Sequence, residues 1–230
     1  MRLLRRNGPP RHVLEALDER AVWAFDWDGT LIDSIARTMA TYREIFRELG
    51  VPFDDAVFRR HYAPDWRRMY HSMGIAPELW PRIDRRWVEI FETEVSELVP
   101  GVPDALDWLR THGRRLALVT AGHRERIELE LRATGLVGVF ETFVFGNEVP
   151  HQKPDPAPLV LASRYLRVPP AQIVLVADAA DDMLMAKRAG AYPVGVLTGA
   201  ARSRSLKAGG ARWVARDVAE AVAPLRDGRS

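Results

Sequence analysis

The sequence predicts an α/β protein: a Rossmann-like parallel sheet with helices on both faces, interrupted by an inserted all-helical cap. Three observations carry this. Beyond about residue 100, strand-like apolar runs alternate with helical periods, the pattern of crossover units. One more apolar run, Ala21-Val22-Trp23-Ala24-Phe25, stands far upstream between charged residues. Between them, from Ser34 to about Leu98, every apolar period is helical. The helical block follows the first strand, so it is expected as an insertion into one core. The expected organisation is an N-terminal extension over 1–20, a core over 21–34 and 99–230, and a cap over 35–98.

In chain order, a short helix is expected over Val13 to Arg20, then the strand Ala21–Phe25. In the cap, Ile35, Met39, Tyr42, Ile45, Phe46 and Leu49 fall at helical spacing. Val57 to Met73 and Trp80 to Val95 show similar periods. Gly50-Val51-Pro52 and Gly74-Ile75-Ala76-Pro77 separate them. After Pro100-Gly101-Val102-Pro103 the alternation begins. Helices are expected over Asp104–Thr111, His123–Thr134, Asp155–Tyr165 and Asp182–Ala189. Strands are expected over Arg115–Thr120, near Thr142–Gly146, and over Ile173–Ala177, Pro193–Leu197 and Trp213–Ala215.

Bulk properties narrow the function classes. With 230 residues the chain can bury a substantial core. Net charge is only +2, and just three of the 33 basic residues are lysine (Lys153, Lys187 and Lys207). The arginines are spread along the chain among acids, with no basic stripe of the kind nucleic acid demands. There is no cysteine, so disulfides, thiolate metal sites and cysteine nucleophiles are excluded. No apolar run reaches the roughly 18 residues of a membrane span. Met1 to Asn7 is basic, but no apolar stretch follows to make a secretory signal. The expectation is a cytoplasmic protein that binds neither nucleic acid nor membrane. Oligomeric state is open between monomer and homodimer.

In an open parallel sheet, ligands bind past the carboxyl ends of the strands. Asp26 and Asp28 follow the first strand and Thr120 the second. Lys153 lies in the loop after the third, and Asp178, Asp181 and Asp182 follow the fourth. Each has a plainer account alone: a turn carboxylate, a helix cap, a solvated lysine, an acidic helix start. Together they suit phosphoryl transfer. One carboxylate can attack phosphorus and form an acyl phosphate. A second, two residues on, can exchange protons with the leaving oxygen and then with water. Carboxylates facing a phosphate dianion need a hard cation, and Mg²⁺ favours carboxylate, phosphate and water oxygens. An ammonium, a hydroxyl and backbone N–H groups hold the remaining oxygens.

These residues resemble the motifs of the haloacid dehalogenase superfamily, specifically its phosphoglycolate-phosphatase-like group with a helical cap. Asp26-Trp27-Asp28-Gly29-Thr30-Leu31-Ile32-Asp33-Ser34 is similar to the first motif. Leu118-Val119-Thr120 is similar to the second and Lys153-Pro154 to the third. Val176-Ala177-Asp178 with Asp182 is similar to the fourth. The resemblance spans about Ala21 to Leu225. It implies a Mg²⁺-dependent phosphatase acting on a small phosphorylated metabolite. Asp26 is then nucleophile and metal ligand. Asp28 is the general acid/base, with its carbonyl on the metal. Lys153 steadies nucleophile and phosphate, and Thr120, with Trp27 and Ala121 beside it in the phosphate-binding set, receives the phosphate. Asp178 ligates the metal, and Asp182 ligates it or orients a bound water, with Asp181 the competing position. Two departures stand out: Ala177 where glycine is frequent, and Ala121-Gly122-His123 where Asn or Ser often follows the second-motif Thr.

The cap is expected to close over the site and read the leaving group. Its run Arg59-Arg60-His61-Tyr62-Ala63-Pro64-Asp65-Trp66-Arg67-Arg68 offers His61, Trp66 and Arg67 as substrate contacts, Tyr62 beside them. The same residues suit cap packing and solvated arginines. Two other functions share the motifs: a β-phosphoglucomutase-like sugar phosphotransferase, and a non-catalytic binding module on the same fold. A dehalogenase is disfavoured by Asp28. No Gly-x-x-x-x-Gly-Lys-Ser/Thr run supports nucleotide P-loop chemistry.

Overall fold

The computed structural model describes residues 9–63, 65–91 and 95–227. The basic start Met1–Asn7, Pro64, and part of the Trp80–Val95 period therefore lie outside the described residues. Within them, α1 (Arg11–Asp18) leads into β1 (Val22–Phe25), and α2 (Ile35–Glu48), α3 (Asp55–His61), α4 (Trp66–Ser72) and α5 (Trp80–Phe91) form the cap. The core resumes with α6 (Val102–Thr111), β2 (Arg115–Val119), α7 (Arg124–Ala133), β3 (Thr142–Val144) and α8 (Ala157–Leu166). It ends with β4 (Ile173–Ala177), α9 (Ala180–Ala189), β5 (Tyr192–Val196), α10 (Ser203–Gly209), β6 (Trp213–Ala215) and α11 (Val218–Asp227).

All strand pairs are parallel, in the order β3-β2-β1-β4-β5-β6. That is the doubly wound order, with its reversal at β1. β1 alternates between two apolar layers, as a strand covered on both faces must. Trp23 and Phe25 pack with residues of α6, α7 and α11. Val22 and Ala24 pack with residues of α8 and α9 on the other face. Burial of each such large side chain contributes roughly 1.5–3 kcal/mol. This central, fully buried strand holds the residues at its carboxyl end in fixed positions.

The cap has a core of its own, centred on Tyr42, Phe46, Phe58, Met69, Tyr70 and Ile83. Its two connections to the sheet lie side by side. Ile32 bridges Leu98 antiparallel, the Asp33 N–H donates to Glu97 O at 2.9 Å, and the Val99 N–H donates to Leu31 O at 2.9 Å. Chain exit and return thus form a short paired hinge, as an insertion requires. The expected period over Val57–Met73 is two helices, α3 and α4, broken around Ala63. The residue before a proline is pushed out of the helical region, and Pro64 follows. Two short helices, α10 and α11, were not expected from the sequence. No described helix is long and apolar enough to cross a membrane.

Candidate active site

Asp26 continues the ladder of β1: its N–H donates to Val176 O of β4 at 3.1 Å. The chain then turns tightly. Trp27 O accepts from the N–H groups of Thr30, Leu31 and Ile32, and Gly29 takes φ +70°, where a side chain would be strained. Asp178 leaves the end of the neighbouring β4. Thr120 continues β2, its N–H donating to Val144 O at 3.0 Å. Lys153 arrives from the loop beyond β3. Four strand ends therefore converge at the reversal point.

One cluster gathers around Lys153, which is 1% exposed. Its Nζ donates to Asp26 Oδ1 at 2.7 Å and lies 2.6 Å from Asp182 Oδ1. Asp178 stands beside them: its Oδ1 accepts from Thr30 Oγ1 at 3.3 Å, and its buried Oδ2 has no hydrogen-bond partner among the described residues. Three buried carboxylates thus gather around one ammonium, which pairs with two of them. Burial raises the Asp26, Asp178 and Asp182 carboxyls, Asp182 to about 7. Lys153 is desolvated too, but the Asp182 and Asp26 carboxylates overrule that and keep it protonated. The arrangement is short of positive charge, which is the condition a divalent cation corrects. The described acidic and histidine side chains form no closed cage of three. Mg²⁺ does not need one, since it keeps several waters and takes one or two carboxylates plus phosphate oxygens.

Glycines shape this pocket. A Cβ on Gly199, just past β5, would lie 1.6 Å from Asp178 Oδ2, and one on Gly29 would lie 2.8 Å from it. Thr198 Oγ1 ties the two loops together by donating to Gly29 O at 2.6 Å. Gly146 likewise admits the loop after β2, because its Cβ would fall 2.0 Å from Ala121 O.

A second cluster surrounds Asp28. Arg126 of α7 grips both carboxylate oxygens, at 2.5 Å and 3.1 Å, and Ser34 Oγ donates to Oδ1 at 2.8 Å. Arg126 also donates to both oxygens of Glu130, at 3.2 and 3.0 Å. Glu130 in turn accepts from Trp27 Nε1 at 2.7 Å and Arg37 at 3.2 Å. Burial alone would raise Asp28, but the Arg126 guanidinium, with Ser34, holds its carboxyl below the usual range. Arg126 and Glu130 were missed in the sequence. Two signals were available: their spacing of four on the face that also carries the apolar Ile127 and Leu131, and Gly122. A Cβ on Gly122 would lie 2.5 Å from Arg126 Nη2, so the Ala121-Gly122 departure makes room for this arginine.

The other sequence candidates fall as follows. Thr120 is buried, its Oγ1 accepting from the Gly122 N–H at 3.0 Å. Trp27 is buried with its indole turned to Glu130. Asp181 turns to the cap, where Arg68 of α4 pairs with it, while Asp182 faces Lys153. A cavity of about 160 Å³ separates cap from core, and Asp26, Asp28, Thr120, Ala121 and Trp66 line it. His61 and Arg67 lie instead along an outer cleft of about 980 Å³.

The geometry agrees with what comparison finds. The family model described as haloacid dehalogenase-like hydrolase matches residues 23–196. Validoxylamine A 7'-phosphate phosphatase of Streptomyces hygroscopicus subsp. limoneus is 30% identical over 182 residues, 76% of this chain and 84% of that protein. A phosphoglycolate phosphatase of Vibrio cholerae is 30% identical over 189 residues, again 76% and 84%. A hydrolase structure from Pseudomonas syringae superposes with TM-score 0.82 at 24% identity, covering 90% of this chain and 99% of that one. This chain belongs to the haloacid dehalogenase-like hydrolases and is a phosphatase of that family.

Proposed function

We propose that the chain hydrolyses small phosphate monoesters through an aspartyl-phosphate at Asp26, with Mg²⁺ bound. The observation that carries this is the Lys153 cluster, where one ammonium bridges Asp26 and Asp182 beside the unpartnered Asp178 Oδ2. Asp26 and Asp178, the Asp28 carbonyl, and Asp182 directly or through a water would hold the metal. Once bound, it supplies the missing positive charge and polarises the phosphoryl group.

An Asp26 carboxylate oxygen attacks phosphorus as the ester P–O bond breaks. Lys153 keeps that carboxylate ionised and aimed, and Thr120 with the N–H groups after it receives phosphoryl oxygens. Asp28 is held ionised by Arg126 before substrate arrives; as the phosphate dianion enters, its like charge favours uptake of a proton from solvent by Asp28, which then gives it to the leaving oxygen. Water then attacks the phosphorus of the acyl phosphate, and the Asp28 carboxylate takes its proton. Inorganic phosphate leaves and Asp26 is regenerated.

The test is phosphate release from p-nitrophenyl phosphate. Steady turnover that requires Mg²⁺, stops with a chelator and needs no sugar acceptor supports the reading. Turnover untouched by a chelator would overturn the metal assignment. A burst that stalls until a sugar phosphate is added would favour the phosphotransferase. The validoxylamine and glycolate phosphatases that resemble this chain are named for different esters, so similarity alone does not select its substrate.

A further inference from the structure

The cavity between cap and core has walls that sort leaving groups by charge and size. Five aromatic side chains line it: Tyr42, Tyr62, Trp66, Tyr70 and Trp87. Asp84 of α5 sits among them, its Oδ1 accepting from Tyr70 Oη at 3.1 Å. The indole Nε1 atoms of Trp66 and Trp87 are buried with no hydrogen-bond partner among the described residues. The Trp66 indole N–H lies within reach of the Asp84 carboxyl. The cavity wall thus combines aromatic faces with one carboxyl, Asp84, set among them.

A hydroxyl group both donates and accepts, and so can bond Asp84 whether it is carboxylate or acid. A carboxylate only accepts, and would sit desolvated beside Asp84. Among the described residues lining the cavity, the basic side chains are Arg126 and His123, whose ring packs edge-on to Trp66 at 5.4 Å. Arg126 is the one arginine among them, and there is no lysine. That guanidinium is already bound to Asp28 and Glu130. The exposed cations Arg59, Arg60, Arg67 and Arg68 lie in the outer cleft, beyond Tyr62 and Ala63. Burial raises the Asp84 carboxyl and Tyr70 opposes this. As acid or carboxylate it bonds a hydroxyl, and in neither form does it attract an anion.

Size points the same way. One water needs about 10–15 Å³ of such volume, so the cavity would hold on the order of ten. After the phosphoryl group takes its share at Asp26, a hydroxylated ring fills the remainder. The two-carbon acid of phosphoglycolate leaves much of it as water against aromatic walls.

We propose, on the phosphatase reading above, that this cavity takes the phosphate ester of a polyhydroxylated ring bearing no negative charge of its own, in preference to phosphoglycolate. The ring packs its C–H faces against the aromatic side chains, and its hydroxyls bond Asp84.

The test uses the full chain with Mg²⁺ and compares kcat/KM by released phosphate. The substrates are p-nitrophenyl phosphate, phosphoglycolate, glucose 6-phosphate, glucosamine 6-phosphate and myo-inositol 1-phosphate. At least one ring phosphate should exceed phosphoglycolate by about tenfold or more, the ratio that 1.4 kcal/mol of selective binding gives. Phosphoglycolate equal to or better than every ring ester overturns the proposal while the phosphatase reading stands. Failure to cleave any of the five, p-nitrophenyl phosphate included, overturns that reading itself. Asp84→Arg supplies the missing cation, so the ring-to-glycolate ratio should fall about tenfold or more. Asp84→Asn, the milder change, should move the ratio in the same direction by less. The ratio is insensitive to a general loss of folded protein, and a ratio unmoved by both variants overturns the role of Asp84.

Discussion

Asp26 and Asp28 stand two residues apart at the end of one strand, yet their surroundings are opposite. Asp26 shares a single ammonium with Asp182, Asp178 stands beside them, and burial raises all three carboxyls. Asp28 has a guanidinium on both oxygens, shared only with Glu130, a serine hydroxyl besides, and a lowered carboxyl. Strand alternation alone would put residues two apart on one face; the tight turn that begins after Asp26 sends the two side chains into different clusters, with Trp27 pointing away into the core. The difference teaches where each needs help. The Asp26 side is deficient in positive charge until a cation binds. The Asp28 side is satisfied by the protein alone and has to be loosened by substrate. Pairs of carboxyls driven apart by environment are how one site separates nucleophile from proton carrier.

The strongest way to break this comparison is Asp26→Asn. If Asp26 is the nucleophile, phosphate release should fall at least about 10³-fold, near 4 kcal/mol of barrier, with the fold retained. Retained turnover in a folded variant would remove the covalent route. Arg126→Met acts on the other side. It leaves Asp28 with the Ser34 hydroxyl alone and Glu130 with Arg37 and Trp27, so a loss of about 3 kcal/mol, the lower end for breaking a buried pair, is expected in a urea titration. The concentration of Mg²⁺ giving half-maximal activity should move little, because the Lys153 cluster is untouched. Gly199→Ala should do the reverse. Its Cβ displaces Asp178 Oδ2, costing about 1–3 kcal/mol in stability and raising the Mg²⁺ requirement.

The two sides also predict opposite limbs of a stability-versus-pH curve. Asp182 is raised from 3.8 to about 7, so the native state holds its proton more tightly than the unfolded chain. That contribution is fully present below pH 3.8 and is lost as pH rises through about 7. Metal-free protein should therefore weaken between about pH 4 and 7, Mg²⁺ should restore more at the upper end, and Asp182→Asn should flatten this limb. Asp28 is lowered, so its contribution is present above 3.8 and lost as pH falls through its depressed value. Melting temperatures across pH, with and without Mg²⁺, check both limbs.

Much of the core was legible from sequence because its signals are local. β4 runs over Ile173–Ala177 as expected, five buried apolar residues between turns. Asp26, Thr120 and Asp178 could be placed because the parallel topology puts strand ends together. What was hidden depends on side chains meeting across the fold. Arg126 and Glu130 sit in a run thick with charges, Arg124 to Arg132, which reads as a solvated helix face. Only the structure shows them buried beneath Trp27 and Asp28. α10 offers one buried apolar residue, Leu206, and so no period to detect. α11 is built on small residues and contains Pro224, which argues against a helix by itself. In the cap, helical spacing identified the elements but not which aromatic rings turn toward the cavity, since packing and lining positions share one period.

The smallest expected effect lies where cap meets core. Arg68 of α4 pairs with Asp181, and their side chains are 49% and 18% exposed. An ion pair this open to solvent is worth at most about 1 kcal/mol, and less in salt. Arg68→Ala should thus leave the urea midpoint nearly unchanged, unlike Arg126→Met, although each arginine pairs with a carboxylate near the site. Any effect should appear in KM, because the pair is a link holding the cap over α9, and it should shrink as ionic strength rises. A loss of several kcal/mol in Arg68→Ala would mean that burial does not separate these two ion pairs. The contrast between a carboxylate clamped inside the protein and one paired at its surface would then fail.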